Sequence, residues 1–532
     1  MIDGDKRLAG EAAGSATRKS VLSALDDSSL SGFHWKAMVT SGMGFFTDAY
    51  DLFIIGVVLA ILTPLWHLSA LEISLLASTS LLAAAFGSII FGRLADFVGR
   101  RSIYGFTLIV LAAGALASAL APNVIWLLIF RFVLGLGIGG DYPLSATLMS
   151  EYANRRDRGK LVTMVFSMQG LGLILGPLVA IVLLVAGTNH DLAWRIMLAL
   201  GAVPALATFY LRRQIAETPR FAMAMQDDLA GASRTVEQVT RNGNGAKAAS
   251  LNDHTPLASA NGHSNGHAPL ASTNGHSLNG HTPLATANDS AAPRKELRRK
   301  SWLYLLLRRP YLRWLIGTAG AWFLLDIAYY GTTISGPLVL KSLNSHSNLV
   351  TNMVYTLLIF VIAAFPGYVV AAFTIDRLGR KWIQCVGFAM MALAYGLLAV
   401  APALTAITLP FLLIYGVSYF FTEFGPNVTT FVYPAEIFPV MVRTTGHGIA
   451  AALGKVGAFI GAFAFPYLLT TYHLPGVMAV AAIVSLLGLL LTIFTLPEPN
   501  QRTLEEISDE HTIVETHHEE LRASKEHALA VK

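Results

Sequence analysis

Gly92-Arg-Leu-Ala-Asp96-Phe-Val-Gly99-Arg100-Arg101 closes one long apolar stretch of the chain, and Ala372-Phe-Thr-Ile-Asp376-Arg-Leu-Gly379-Arg380-Lys381 closes another. The second aspartate lies 280 residues after the first, and the acid, the glycine and the basic pair keep the same spacing in both copies. Self-similarity at a fixed offset indicates internal repetition. The sequence therefore predicts two structurally related halves.

Composition predicts that both halves lie in a lipid bilayer. Of the 532 residues, 54% are hydrophobic and 13% are charged, and the mean hydropathy is +0.54. A helical span needs about 20 mostly apolar residues. Twelve segments fit: 37–62, 71–93, 102–121, 123–149, 160–187, 192–211, 311–340, 350–374, 382–400, 404–434, 444–470 and 473–496. The predicted fold is an all-α membrane protein, with twelve transmembrane helices in two pseudo-symmetric six-helix bundles, 37–212 and 311–497.

The placement of Lys and Arg predicts the side of the membrane on which each loop lies. Loops after the second, fourth and eighth spans are basic, whereas the opposite loops carry few cations, and basic loops stay in the cytoplasm. Tails 1–36 and 498–532 and the connection 213–310 are accordingly expected in the cytoplasm. The connection repeats His-Thr-Pro-Leu-Ala and Asn-Gly-His units, which is typical of a disordered linker.

The same composition argues against several classes of function. The net charge of +5 reflects the basic cytoplasmic loops and does not indicate nucleic-acid binding. The single cysteine, Cys385, excludes an intramolecular disulfide, and the spans contain no metal-ligand cluster and no nucleophile–base pair. We expect a monomer in the bilayer that is not an enzyme and needs no metal or cofactor.

Polar residues inside the spans repeat with nearly the same offset as the loops. Three pairs are separated by 278 to 286 residues: Asp48 with Asp326, Asp141 with Asn427, and Gln169 with Lys455. Transporters built from repeats hold their substrate near the midplane, where the halves meet. The pairs are therefore expected to converge there, although a single Gln or Asn could instead serve a hydrogen bond between helices.

The acids of the first and seventh spans are the predicted proton carriers. Trp322, Asp326 and Tyr330 are spaced i, i+4 and i+8, so they share one helical face. A partly desolvated acid there exchanges protons readily, and the seventh span offers it no cation. Asp48 and Asp51 are spaced i, i+3, so one of them is expected to be protonated or to face a cation or a water path.

Two deep cations and one further acid bear on the substrate. Lys455 is the better candidate for attracting an anion, whereas Arg131, in Arg-x-x-x-Gly-x-x-x-Gly, serves helix packing or the proton route. Asp141 is costly inside a bilayer, which marks a ligand path. The monoanion H₂PO₄⁻ has protons that Asp141 can accept, and sulfate has none. The expected donors to phosphate are Tyr142, Gln169, Trp322, Tyr330 and Asn427.

Charged residues at the cytoplasmic ends of the spans are the predicted gate. Glu151 and Arg158 are seven residues apart, as are Glu436 and Arg443, and the two acids are 285 residues apart. Such groups can pair across neighbouring helix ends in one conformation and separate in another. The gating or motif residues are Asp96, Arg100, Arg101, Arg131, Glu151, Arg158, Asp376, Arg380, Glu436 and Arg443.

These motifs resemble the major facilitator superfamily and, within it, the phosphate:proton symporters of fungi and plants. The basic loops are common to all facilitators, whereas the narrower resemblance rests on Gly44–Phe53, Gly139–Thr147, Trp322–Ala328, Phe424–Asn427 and Pro434–Pro439. It implies import of H₂PO₄⁻ with protons across the plasma membrane by alternating access. It also implies phosphate binding by Tyr142, Gln169, Trp322, Asp326, Tyr330 and Asn427, and proton handling by Asp48, Asp141 and Asp326.

Two features depart from the resemblance. Glu423 stands one turn before Asn427, where a neutral residue is expected, and the His/Asn/Gly-rich connection has no counterpart. An extra acid next to the site would alter the number of protons or the charge of the substrate.

Two other functions stay open at this point. One is an organophosphate, glycerophosphodiester or sugar porter of the same fold, because Glu217-Thr-Pro-Arg220 and Pro497-Glu498 resemble sugar-porter loop ends. Against a hexose, the seventh span lacks the paired glutamines of such porters. The other is a transporter-like phosphate sensor that signals through the connection or the C-terminal tail, although neither segment has the pattern of a folded domain.

Overall fold

The computed structural model describes residues 17–241, 302–334, 336, 339–340, 348–405 and 407–509, and every regular element within these ranges is helical. The helices are α1 (17–26), α2 (Gly32–Trp66), α3 (Ala70–Val98), α4 (Arg100–Ala119), α5 (Val124–Tyr152), α6 (Arg158–Val185), α7 (His190–Leu200), α8 (Ala202–Arg213), α9 (Pro219–Phe221), α10 (Leu229–Arg241), α11 (302–307), α12 (Tyr311–Ile334), α13 (Leu349–Ile359), α14 (Phe365–Leu378), α15 (Arg380–Val400), α16 (Pro402–Thr405), α17 (Thr408–Phe424), α18 (Pro426–Ile437), α19 (Arg443–Thr495) and α20 (Leu504–Ile507).

These helices supply the twelve expected crossings. In the described part of the chain, nine helical segments are long and apolar enough to span a membrane, with α7–α8 and α13–α14 each counting as one. The 53-residue α19 holds two crossings, because His473 interrupts its helical backbone. Helix α12 and the broken pair α17–α18 complete the set. The predicted all-α fold of two six-helix halves is confirmed.

The break between α17 and α18 shapes the centre of the second half. Gly425 leaves the helical conformation at φ −104° and ψ −113°, and Pro426 begins α18. Proline suits the first position of a helix because its missing N–H would be unpaired there anyway. A Cβ on Gly425 would lie 2.5 Å from the Cα of Gly387 on α15, so the glycine also permits close packing. The break places residues 423 and 427 on either side of a bend.

Glycines also bring α3 against α5. A Cβ on Gly139 would lie 2.6–2.7 Å from backbone carbons of Ala84, and the Ser88 hydroxyl donates to the Gly139 carbonyl at 2.8 Å. Small residues allow helix backbones in membranes to approach this closely, and packing then supplies the attraction. The close approach holds α5, and with it the residues that follow Gly139, in a defined position.

The expected disorder of 213–310 is wrong for both ends of that connection. Helix α10 buries Ala232, Val236 and Val239, and Arg18 on α1 pairs with Asp227 just before α10. Apolar residues at helical spacing explain this, since they give α10 a face to pack. Residues 302–310 are also ordered, whereas 242–301 lie outside the described residues. The described parts of the two tails include α1 and the segment 498–509, which contains α20.

Adding one methyl group at the α3–α5 contact should destabilise the protein. Gly139→Ala is expected to cost about 1–3 kcal/mol, because overpacking forces the two backbones apart. The control is Gly105→Ala on α4, where the new Cβ would meet nothing closer than 3.6 Å; better helix propensity should make this change neutral or slightly stabilising. Thermal unfolding of the purified protein measures both, and equal effects would contradict the packing argument.

Candidate functional site

A buried polar cluster lies between the two halves of the protein. Its members come from α2, α5 and α6 on one side and from α12, α18 and α19 on the other, and none is more than 5% exposed. They are Asp48, Tyr142, Gln169, Trp322, Asp326, Tyr330, Asn427 and Lys455. The structure thus brings together all seven residues expected at the substrate and one of the expected proton carriers on α2. We call this set the central cluster.

A chain of hydrogen bonds crosses from one half to the other through the central cluster. Tyr142 Oη donates to Asp48 Oδ2 at 2.5 Å, and Gln169 Nε2 donates to Tyr142 Oη at 3.2 Å. Tyr368 Oη donates to Gln169 Oε1 at 3.2 Å, and Asn427 Nδ2 donates to Tyr368 Oη at 2.9 Å. A change of protonation or ligation at one end can therefore alter the hydrogen bonding at the other.

Lys455 is the cation of the central cluster. Its Nζ donates to Tyr330 Oη at 2.6 Å, lies 3.6 Å from Asp326 Oδ2, and sits 4.3–4.4 Å from the ring centroids of Tyr142 and Tyr330. Cation–π contacts stabilise an ammonium group most where water is excluded. The sequence predicted no cation beside Asp326, because the span that contains Asp326 offers it none. Lys455 reaches Asp326 from another helix, α19.

The carboxylates of the central cluster keep unused capacity to accept hydrogen bonds. Asp48 Oδ1 and both oxygens of Asp326 are buried without a hydrogen-bond partner. The rings of Phe45, Phe166 and Phe431 surround Tyr142, so the site is largely dry. A buried unpaired acceptor costs free energy. Protonation of an acid or arrival of a ligand with O–H groups would lower this cost.

The space beside the central cluster is small. A cavity of about 10 Å³ lies between α2, α6 and α12, bordered by Gln169 and Tyr330. That is room for about one water molecule. Binding of any larger solute therefore requires the two halves to separate locally.

Asp141, which the sequence predicted as an acceptor of hydrogen bonds from substrate, is paired with Arg212 here and forms no hydrogen bond to a member of the central cluster. Both of its oxygens bind the guanidinium group of Arg212, with Nη2 2.9 Å from Oδ2. Arg212 also lies over the Tyr104 ring, 3.9 Å from its centroid. Consecutive residues on a helix point about 100° apart, so Tyr142 reaches the cluster and Asp141 does not. Arg212 was missed because it lies just beyond the predicted end of the sixth span.

Asp51 is also paired away from the central cluster. Arg131 Nη1 donates to Asp51 Oδ1 and Oδ2 at 2.6 and 2.7 Å, and Nη2 donates to Ser80 at 3.0 Å. The expectation that one of the two acids on α2 faces a cation is met by this pair. Arg131 thus lies toward the opposite end of α5 from Glu151, and its expected gating role is not supported by its position.

The two repeat aspartates each cap a helix of the opposite half. Asp96, near the end of α3, accepts hydrogen bonds from the backbone N–H groups of Thr444 and Thr445, at 3.3 and 2.6 Å, where α19 begins. Asp376, near the end of α14, accepts from the first two N–H groups after Arg158 on α6, at 3.1 and 2.7 Å. Negative charge is favourable at a helix N-terminus. The duplicated loops therefore join the halves at the end of the molecule where the basic loops lie.

Ion pairs reinforce this connection from the first half. Glu151 Oε1 lies 3.3 Å from Arg100 Nη2 and 3.0 Å from Arg443 Nη1, and all three side chains are fully buried. Arg100 also donates to the Val440 carbonyl at 2.9 Å. The pair of Glu151 and Arg443 bridges the halves, as the repeat spacing predicted.

The second half repeats the arrangement. Glu436 Oε1 lies 2.8 Å from Arg380 Nη2 and 3.9 Å from Arg158 Nε, so this acid too is shared between the halves. Arg101, like Arg131, stands apart from the other expected gate residues. Its exposed side chain borders an open groove with Arg213, outside the ion-pair network. We use the name cytoplasmic gate, after the position and role expected from the sequence, for Asp96, Arg100, Glu151, Arg158, Asp376, Arg380, Glu436 and Arg443.

One acid after the last span of each half contacts the start of a helix that carries gate residues. The sequence suggested a different role for both acids. Glu217 accepts from the Arg101 N–H at 3.3 Å, and Glu498 accepts from the Arg380 and Lys381 N–H groups at 3.1 and 2.9 Å. These are the acids of the two loop ends that suggested a sugar porter. Their geometry shows that they cap α4 and α15, which says nothing about a substrate.

Two helix bundles that enclose a buried polar cluster and are joined by ion pairs at one end define the class of secondary transporters. Residues 42–433 match the family described as Major Facilitator Superfamily. The chain is 36% identical to "Probable inorganic phosphate transporter 1-6" of Arabidopsis thaliana, over 92% of this chain and 96% of that protein. It is 36% identical to "Inorganic phosphate transporter 1-11" of Oryza sativa subsp. japonica, over 92% and 90%. The chain belongs to the inorganic phosphate transporters of the major facilitator superfamily.

A solved structure gives the same fold. The proton:xylose symporter XylE, bound to 6-bromo-6-deoxy-D-glucose, aligns with a TM-score of 0.69 at 20% identity, over 89% of this chain and 98% of that protein. At this identity the likeness concerns the fold alone. The protein is a multi-pass membrane transporter rather than an enzyme, as the sequence predicted.

Removing the charge of Asp141 should destabilise the protein by leaving Arg212 buried and unpaired. Breaking a buried pair from one side costs about 3–5 kcal/mol, whereas removing both charges is far milder. Asp141→Asn should therefore unfold at a lower temperature than the double variant Asp141→Asn/Arg212→Gln. If the double variant gains no stability over the single one, the ion pair is not the role of Asp141.

Glu505 should stabilise the fold, and the size of its contribution should not change with pH near neutrality. Burial alone would raise the pKa of Glu505, but Arg220, whose Nε lies 2.8 Å from Oε1, lowers this pKa to about 2. A depressed pKa stabilises the fold above the ordinary value near 4.5, and this contribution is lost as pH falls toward 2. Glu505→Gln should thus lower the unfolding temperature by the same amount between about pH 5.5 and pH 8.

The control for Glu505 is its exposed neighbour Glu506, which caps a short helix. Glu506→Gln keeps the cap and should change the unfolding temperature little. A Glu505→Gln deficit that grows or vanishes between about pH 5.5 and pH 8 would contradict the depressed pKa.

Proposed function

We propose that this chain imports inorganic phosphate together with protons across the plasma membrane, by exposing the central cluster alternately to each side. The observation that carries the proposal is the charge balance between the halves. Asp326 is paired with Lys455 and Asp48 forms no ion pair within 4.0 Å among the described residues, while Asp51 and Asp141 are neutralised by their own arginines. Adding a phosphate anion would leave excess negative charge in a buried site. Such charge is very costly, so protons must enter with the anion.

The cluster offers matched partners to H₂PO₄⁻. Lys455 supplies the positive charge, and donors to the phosphate oxygens come from Tyr142, Gln169, Trp322, Tyr330 and Asn427. Asp326 and Asp48 accept the transported protons or the O–H groups of the substrate, since three of their four oxygens lack hydrogen-bond partners. These roles follow from donor and acceptor chemistry and from burial.

The paired acids have a different role in this proposal. Asp51 and Asp141 hold α2, α5 and the end of α8 together while they remain bound to Arg131 and Arg212. They take part in proton transfer only in a conformation that separates these pairs. Their contribution to coupling is therefore through the change of conformation.

The cytoplasmic gate accounts for access to the cluster from one side at a time. With the cytoplasmic gate formed, the central cluster is closed to the side on which the basic loops and both termini are expected. Phosphate then enters from the outside, and breaking the shared ion pairs of Glu151 and Glu436 opens the inside. A monomer suffices, because both halves of the site belong to one chain.

The small cavity supports inorganic phosphate over bulkier substrates. Organophosphates, glycerophosphodiesters and sugars would require a larger separation of the cluster than a phosphate ion, starting from about 10 Å³. The relatives named above are inorganic phosphate transporters by their descriptions. Competition by a glycerophosphodiester, by xylose and by sulfate against labelled phosphate measures this selectivity.

Neutralising Asp326 should uncouple phosphate from protons. In proteoliposomes with an acidic outside, the wild-type protein should accumulate radiolabelled phosphate, and Asp326→Asn should lose accumulation while retaining phosphate exchange between the two sides. The reason is that Asn cannot carry a proton, yet keeps the hydrogen-bonding shape. The control is Asp191→Asn, which removes a half-exposed acid paired with Arg195 near the start of α7.

Two outcomes would contradict this assignment. Wild-type accumulation that ignores the imposed pH gradient would exclude proton coupling. Unchanged accumulation in Asp326→Asn would exclude Asp326 as the proton carrier.

A further inference from the structure

Glu423 is a buried acid beside the central cluster that the proposed transport cycle does not yet use. It lies in the last turn of α17 and is 0% exposed. Oε2 accepts a hydrogen bond from Asn427 Nδ2, whereas Oε1 has no hydrogen-bond partner. Among the described residues, no Lys, Arg or His forms an ion pair with it within 4.0 Å. A carboxylate buried without a cation is strongly disfavoured.

The surroundings of Glu423 are closely packed. A Cβ on Gly367 of α14 would lie 3.1 Å from the Cβ of Glu423, so a larger residue there would push the acid away. The titratable groups that face it come from three neighbouring helices and from its own, and none is a cation: Asp326, Tyr329 and Tyr330 on α12, Tyr368 on α14, Tyr395 on α15 and Tyr419 one turn earlier on α17. Lys455, the cation on α19, is engaged by Asp326 and Tyr330.

The hydrogen bonds of Asn427 show what a proton on Glu423 would change. An amide has two N–H donors, and Asn427 directs its Nδ2 to both Glu423 Oε2 and Tyr368 Oη. Both donors are thus committed. An ionised carboxylate only accepts, so it retains the Asn427 amide, whereas the protonated acid is a weaker acceptor and itself offers an O–H donor.

We propose that Glu423 is a proton-linked positioning residue: when it takes up a proton it releases the amide of Asn427 to phosphate, and one additional proton is thereby carried with each phosphate. The inference rests on the proposed function, because it assigns Asn427 to phosphate. Glu423 need not touch the substrate. It acts through Asn427, and through Tyr368 and Gln169 it reaches the other half of the site.

The charge balance leads to the same role. With Asp48, Asp326 and Glu423 all ionised, three negative charges would share the one positive charge of Lys455 before phosphate arrives. Like charges in a common low-dielectric site cannot all remain ionised. Phosphate adds a further negative charge, so its binding and the protonation of Glu423 favour each other. Such linkage is reciprocal by thermodynamic necessity.

The test is the proton-to-phosphate ratio of Glu423→Gln. Wild-type and variant proteoliposomes are held at zero membrane potential, and the equilibrium accumulation of radiolabelled phosphate is measured against the imposed pH gradient. Each coupled proton adds about tenfold accumulation per pH unit. Glu423→Gln should therefore accumulate about tenfold less than wild type at a gradient of about one pH unit. Glu423→Asp should keep the wild-type slope, and Glu506→Gln is the matched control.

The possible results distinguish the role of Glu423 from the proposed transport function. An equal slope in wild type and Glu423→Gln overturns the role of Glu423 while leaving phosphate transport intact. A wild-type protein that accumulates no phosphate overturns the proposed function itself. If Glu423→Gln folds but does not transport, the protons taken up on adding inorganic phosphate to purified protein in weak buffer replace the slope, and one fewer than in wild type is expected.

If Glu423→Gln fails to fold, Glu423→Asp decides. The shorter acid still takes up the proton but withdraws from Asn427, so proton uptake on phosphate addition should match wild type while the affinity for phosphate rises at alkaline pH. Unchanged affinity would overturn the proposal.

Discussion

The low dielectric of the bilayer makes an unpaired buried charge costly, and this constraint organises the described part of the molecule. Asp51 pairs with Arg131, Asp141 pairs with Arg212, and the acids of the cytoplasmic gate are shared among arginines. An isolated charge would cost several kcal/mol, so these pairs hold helices that apolar packing alone would leave free to slide. The central cluster is where pairing is incomplete, and incomplete pairing is what makes it responsive to an anion and to protons.

Internal duplication explains why the pairing within the proposed gate crosses between the two halves. Asp96 caps a helix of the second half, and Asp376 caps the equivalent helix of the first. Each bond therefore crosses between the halves and is lost when they separate. Because exposed helix ends and carboxylates are well hydrated, water replaces these bonds on opening at modest cost. A gate built in this way is stable when closed and still able to open.

Glu423 illustrates how one buried acid can change the energetics of a site without changing the fold. The bend at Gly425 places residues 423 and 427 side by side, and the acid then competes with substrate for the amide of Asn427. The competition depends on protonation, since only the ionised form holds the amide firmly. A residue outside the first contact layer can thus set how many protons accompany an anion.

Much of the architecture could be predicted from the chain. Apolar periodicity determines twelve crossings, because a bilayer admits helices of about 20 residues, and the 280-residue offset predicts which polar residues meet. Asp48, Gln169, Asp326, Asn427 and Lys455 do converge. The sequence of α10 also contains the apolar face that explains its packing. The polar composition of the connection as a whole hid this pattern.

Only the tertiary structure determines which charged and polar side chains pair with one another. Asp141 and Tyr142 are neighbours in sequence, yet one turns to Arg212 and the other to the central cluster. Tyr368 links Gln169 to Asn427, although the offset does not relate these two. Repeats and periodicity specify depth in the membrane and helix face. Which side chains of different helices pair depends on how closely the helix backbones pack. The local sequence does not determine the distance between those backbones.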